Sequence, residues 1–60
     1  MINMEEELQV GNLVIVLNNY GTPNYRGYII GITKNAVLVK KLGLFGGEHL
    51  ERRERVERMI

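Results

Sequence analysis

The chain has 60 residues, 45% of them hydrophobic, and a formal net charge of +1 from eight Lys and Arg against seven Glu. A chain this short holds one domain and buries only about 60% of the surface its unfolded form exposes, so folds of this size draw on disulfides, metals or partners for stability. With no Cys and a single His, disulfides and Cys- or His-rich metal sites are excluded. Self-association is left as the expected support, and the hydrophobic content excludes wholesale disorder.

Residues 1–9 read as an acidic arm, with Glu5, Glu6 and Glu7 and no base. An acidic start does not read as a signal peptide. Met1, Ile2 and Met4 are apolar residues without an assigned partner, and Met adapts readily to interfaces. Leu13–Leu17 is the longest apolar run, far too short to span a bilayer, so no membrane partner is expected. The absence of Cys fits a reducing compartment, which makes the cytoplasm the expected location.

From residue 11 the pattern is that of strands. Leu13–Leu17 is apolar on both faces and β-branched at its centre, as in a small barrel. Residues 18–24 (Asn-Asn-Tyr-Gly-Thr-Pro-Asn) are dense in turn formers. Residues 25–33 predict a second strand carrying Tyr28, Ile29, Ile30 and Ile32. Its Gly27 and Gly31 mark a bulge, a bend or a close backbone approach. Lys34-Asn35 predicts a tight turn, because Asn tolerates positive φ. Residues 36–42 predict a third strand. Residues 43–47, with three glycines around Leu44 and Phe45, predict either a bend in that strand or a loop. The tail, residues 48–60, holds four Glu and four Arg. Its good helix formers and the i, i+4 pairs Glu48–Arg52, Glu51–Arg55 and Glu54–Arg58 point to a helix. The need to seal a sheet edge points to a strand. Both readings stay open. The expected fold is mainly β: an SH3-like small barrel of four to five antiparallel strands in one domain over residues 1–60, with the tail as last strand or short helix.

Catalysis finds little to work with. Ser, Asp and Cys are all absent, so the usual Ser and Cys nucleophiles are missing. The Glu residues at 48, 51, 54 and 57 interleave with Arg as a solvated salt-bridge face, and His49 reads as a surface histidine. The glycine-rich stretch 43–47 lacks the following Lys-Ser or Lys-Thr of a nucleotide-binding loop. No enzyme activity, cofactor or metal is expected. The charge distribution says more. Residues 11–47 carry four bases (Arg26, Lys34, Lys40, Lys41) and no acid. Phosphate contacts from Lys and Arg, with aromatic rings stacking on unpaired bases, are the means of nucleic-acid binding. Tyr20 and Tyr25 beside Arg26 supply rings, and Tyr28 lies nearby. The tail arginines Arg52, Arg53 and Arg55 are matched by glutamates and add almost no net field. The bland alternative is that the tyrosines pack a barrel rim and the bases are solvated.

The apolar strand 14–17 with Asn18-Asn19, then Tyr25-Arg26-Gly27-Tyr28-Ile29-Ile30-Gly31-Ile32, then Ala36-Val37-Leu38-Val39-Lys40-Lys41, resembles the first half of an Sm-like (Hfq and LSm) domain. Gly27, Ile29 and Ile32 fit that motif's glycine and apolar positions. The stretch is also similar to KOW-type barrels, through Gly11, Val14 and Val16. The resemblance covers residues 11–41. Thr33 stands where Sm-like proteins usually carry Asp, Arg53 is followed by Glu54 rather than Gly, and Glu48-His49 replaces the Lys-His pair of the Hfq type. The resemblance implies an RNA-binding, ring-forming barrel in which Lys34 and Asn35 occupy a base-contacting loop.

The expected function is thus a non-enzymatic nucleic-acid-binding module, RNA rather than DNA, working through Tyr20, Tyr25, Arg26, Lys34, Asn35, Lys40 and Lys41 and assembling as a homo-oligomer. The competing expectation is a protein-interaction adaptor, of viral or plasmid origin, that binds and modulates a partner protein.

Overall fold

The computed structural model describes residues 8–59. The expected acidic arm therefore lies almost wholly outside the described residues. The chain forms β1 (Leu13–Leu17), β2 (Pro23–Ile32), β3 (Ala36–Lys41), β4 (Glu48–Arg52), a one-turn 3-10 helix (Arg53–Arg55) and β5 (Val56–Arg58). All five strands belong to one antiparallel sheet in the order β4-β3-β2-β1-β5. The mainly β architecture is the one the sequence predicts.

Alternation places the core. Val14 and Val16 are buried from β1, Ile29 from β2, Val37 and Val39 from β3, and Val56 from β5, with Leu8 and Tyr25 packed against them. The register Val16↔Val56, Ile29↔Val39 and Val37↔Glu51 sets these residues on one inner face. The core is small and almost entirely β-branched, the side-chain type that fits a pleated surface best.

Local chemistry explains the connections. Asn18 organises the β1–β2 loop: its Oδ1 accepts from the backbone N–H of Tyr20 (2.8 Å) and Thr22 (3.2 Å), and its Nδ2 donates to Thr22 Oγ1 at 2.7 Å. In β2 the register slips between Ile29 and Gly31. This bulge keeps Ile29 and Ile32 on the same ladder positions as Val39 and Val37 and sharpens the twist. Gly27 marks a close approach, since a Cβ there would run into the Lys40 carbonyl oxygen and lie 2.7 Å from Val39 Cγ1. Of the three readings offered for glycine in this strand, the bulge and the close approach are the ones found. The Lys34-Asn35 turn forms, but not by a left-handed Asn: among the described residues only glycines have positive φ. Thr33 holds it instead. Its N–H donates to the Ala36 carbonyl at 2.9 Å, and its Oγ1 accepts from the Ala36 N–H at 3.0 Å.

One open reading is settled and one expectation needs correction. The tail follows the strand alternative, as strand, 3-10 turn, strand. Pairing of β4 with β3 and burial of Val56 outweigh a helix propensity worth a few tenths of a kcal/mol per residue. The i, i+4 ion pairs vanish with the helix, and the pair found among the described residues is Arg52–Glu54 at 3.8 Å. The sheet is also not closed into a barrel. β4 pairs with β3 and β5 with β1, and no ladder joins β4 to β5. β4 and β5 run in the same sense on opposite edges of the sheet, the 3-10 turn carries the chain from one edge to the other, and β5 is only three residues long. No helix among the described residues is long and apolar enough to cross a membrane.

Candidate nucleic-acid interface

An antiparallel meander puts the β1–β2 and β3–β4 loops at one end of the sheet and the β2–β3 turn at the other. The expected site residues are divided between these ends and between the two faces.

At the β2–β3 end lies an open cleft of about 620 Å³ lined by Lys34, Asn35, Ala36, Arg52, Arg53 and Glu54. Three features hold it. Ala36 pairs with Arg52 across the β3–β4 ladder. The Arg53 N–H donates to the Asn35 carbonyl at 3.3 Å, tying the 3-10 helix to the turn. Thr33 fixes the turn itself, as described above. Three cations therefore border one cleft with a single carboxylate. That carboxylate, Glu54, reaches Arg52 at 3.8 Å with both side chains exposed, an arrangement worth little in water. The cations remain available to an anion. Arg guanidinium groups suit phosphate because their planar N–H fork can bond two oxygens at once.

Arg52 and Arg53 were concealed in the sequence by equal numbers of Glu. The fold separates them. Glu51, between Leu50 and Arg52, faces the inner side and accepts a hydrogen bond from the Tyr25 phenol. The signal that could have found the two arginines was the register of a β3–β4 hairpin, which sets Arg52 opposite the start of β3.

The remaining expected residues lie elsewhere. Tyr25 and Arg26 do not form a stacking pair, because neighbours in a strand point to opposite faces. Tyr25 points inward and is half-buried. Lys41 Nζ sits 5.3 Å from its ring centroid, and the His49 ring lies 5.4 Å away, tilted by 52°. Burial first, then the hydrogen bond to Glu51 and its negative charge, push the Tyr25 phenol well above its ordinary value near 10. His49 in turn donates from Nε2 to the Gly46 carbonyl at 3.1 Å. Arg26 and Lys40 are exposed on the outer face, where Arg26 opposes Ile15, and Lys40 lies between Tyr28 and Glu48. Tyr20 is exposed in the β1–β2 loop. Lys34 and Asn35 alone among the expected residues line the cleft.

No family model, curated protein or solved structure matches the chain.

Proposed function

We propose that the protein is a non-enzymatic nucleic-acid-binding module, RNA ahead of DNA, that holds backbone phosphates in the cleft between the β2–β3 turn and the 3-10 helix. The observation that carries this reading is the meeting of Lys34, Arg52 and Arg53 around Asn35, with one exposed carboxylate opposing them. Lys34 and the two arginines contact phosphate oxygens, and the Asn35 amide, a donor and an acceptor, faces a base edge or ribose. RNA comes first because the Sm-like resemblance assigns base contacts to the loop of Lys34 and Asn35. The cytoplasm remains the proposed setting.

Self-association is part of the proposal. β4 and β5 are edge strands, each with a row of backbone groups open to pairing. The same edges favour the second reading, an adaptor that pairs with a strand of a partner protein. Titration with unstructured RNA and DNA oligonucleotides at low and moderate salt separates the two. Phosphate contacts give a steep loss of affinity with salt, roughly 0.7 in log–log slope per contact for a single strand. No binding at low salt rejects the nucleic-acid reading and leaves the adaptor.

A further inference from the structure

The most exposed large apolar and aromatic side chains are gathered at the end of the sheet opposite the cleft. Phe45 is 95% exposed, Leu44 93% and Tyr20 89%, against 65% for the next, Leu50. Leu44 and Phe45 form the tip of the β3–β4 loop, and Tyr20 lies in the β1–β2 loop at the same end. The tip is built, not loose. The Gly46 N–H donates to the Gly43 carbonyl at 3.3 Å, and the Lys41 N–H donates to the Gly47 carbonyl at 2.9 Å. The Leu42 N–H donates to the Arg26 carbonyl at 3.0 Å, anchoring the loop to β2. Gly43 and Gly47 have φ of 119° and 69°, and a Cβ on Gly46 would strike the Lys41 carbonyl. These glycines fix a turn that presents Leu44 and Phe45 side by side to solvent.

At the base of the tip Arg26 and Lys40 lie on the outer face, with Glu48 across from Lys40, and Lys41 lies on the inner side over the Tyr25 ring. Residues 40–47 themselves carry two Lys and no acid. An apolar wedge with cations set back from it on both faces of the sheet matches the layers of an anionic lipid surface, acyl boundary and headgroups. A stacked base would use Phe45 and leave Leu44 without a role.

We propose that this loop end docks on an anionic membrane surface, with Leu44 and Phe45 inserted and Arg26, Lys40 and Lys41 against headgroups. Surface docking needs no apolar span, so the short apolar runs that argued against a membrane partner do not bear on it. The site is separate from the phosphate cleft, and each stands or falls alone.

The chain has no Trp, so Phe45→Trp makes a unique reporter. The proposal predicts that its emission shifts to the blue on adding vesicles containing about a third phosphatidylserine, and not on adding pure phosphatidylcholine. Flotation of the wild type with the anionic vesicles should fall at least about tenfold in Leu44→Ser and in Phe45→Ser. It should fall also in Lys40→Gln/Lys41→Gln, and stay unchanged in Arg53→Gln. All the tip positions are exposed, and circular dichroism checks that the variants fold. Unchanged emission, or flotation indifferent to Leu44 and Phe45, overturns the proposal. So does quenching of the Trp reporter by an unstructured RNA with no response to vesicles, which would give the tip to nucleic acid instead.

Discussion

Two glycines four residues apart in β2 should respond very differently to the same substitution. At Gly27 an added methyl meets the backbone of β3: it would overlap the Lys40 carbonyl oxygen and lie 2.7 Å from Val39 Cγ1. Neither neighbour yields easily, since Lys40 is held in the β2–β3 ladder and Val39 is fully buried. Gly27→Ala should therefore carry the cost of overpacking, about 2–3 kcal/mol. At Gly31 the nearest atoms are Leu38 Cβ at 3.6 Å and Cδ2 at 3.8 Å, which is ordinary contact. Gly31→Ala should change stability by less than about 1 kcal/mol, helped by the smaller entropy of the unfolded chain. A 60-residue domain has about 3–9 kcal/mol of stability in all, so Gly27→Ala removes a large share of it. Thermal and urea unfolding of the three proteins give the answer. Gly27→Ala should lower Tm by roughly 8–24 °C, while Gly31→Ala stays close to the wild type. A Gly27→Ala variant as stable as wild type, or a Gly31→Ala variant falling equally far, would refute the close-approach argument.

Two further predictions are read by the same unfolding assays, and a third by RNA affinity. Ile29→Val, at a fully buried position, should cost about 1 kcal/mol, and Ile30→Val on the outer face less than about 0.5 kcal/mol; equal costs would contradict the inward register. Tyr25→Phe removes the hydrogen bond to Glu51 and should cost about 1–2 kcal/mol at neutral pH. Because the folded phenol titrates above its unfolded value near 10, its contribution is complete below pH 10 and is lost as pH rises beyond it. The wild type should accordingly lose stability more steeply above pH 10 than Tyr25→Phe, and parallel profiles would count against a neutral Tyr25 bonded to Glu51. Arg53→Gln and Lys34→Gln should each flatten the salt dependence of RNA affinity by about 0.7 in log–log slope, measured by fluorescence anisotropy, while Arg58→Gln, outside the cleft, leaves it unchanged.

The first three strands were legible because their signals are local. The β-branched run at 13–17, the turn formers at 18–24 and the apolar stretch at 36–39 each prefer one backbone shape regardless of the rest of the chain. The tail was not, because residues 48–58 favour a helix locally and become strands only through partners distant in sequence: Val37 and Val39 for β4, Val14 and Val16 for β5. Closure into a barrel was expected from the need to cover an edge, and the three-residue β5 leaves that edge open. At the site, Lys34 and Asn35 could be read as a turn in an acid-free segment. Arg52 and Arg53 could not be separated from the neighbouring glutamates by counting charge, since it is strand alternation that turns Glu51 to the inner face. Tyr25 looked like a free ring in the sequence for the matching reason: nothing in the sequence places Glu51, His49 and Lys41 around it.

The central claim is that nucleic acid binds at the cleft between the β2–β3 turn and the 3-10 helix. Amide chemical shifts of the labelled protein, followed as an unstructured RNA oligonucleotide is added, test it residue by residue. The account predicts the largest changes at residues 33–36 and 52–54, suppressed by added salt. Saturating RNA that leaves those amides in place, or moves only amides on other surfaces, would contradict it.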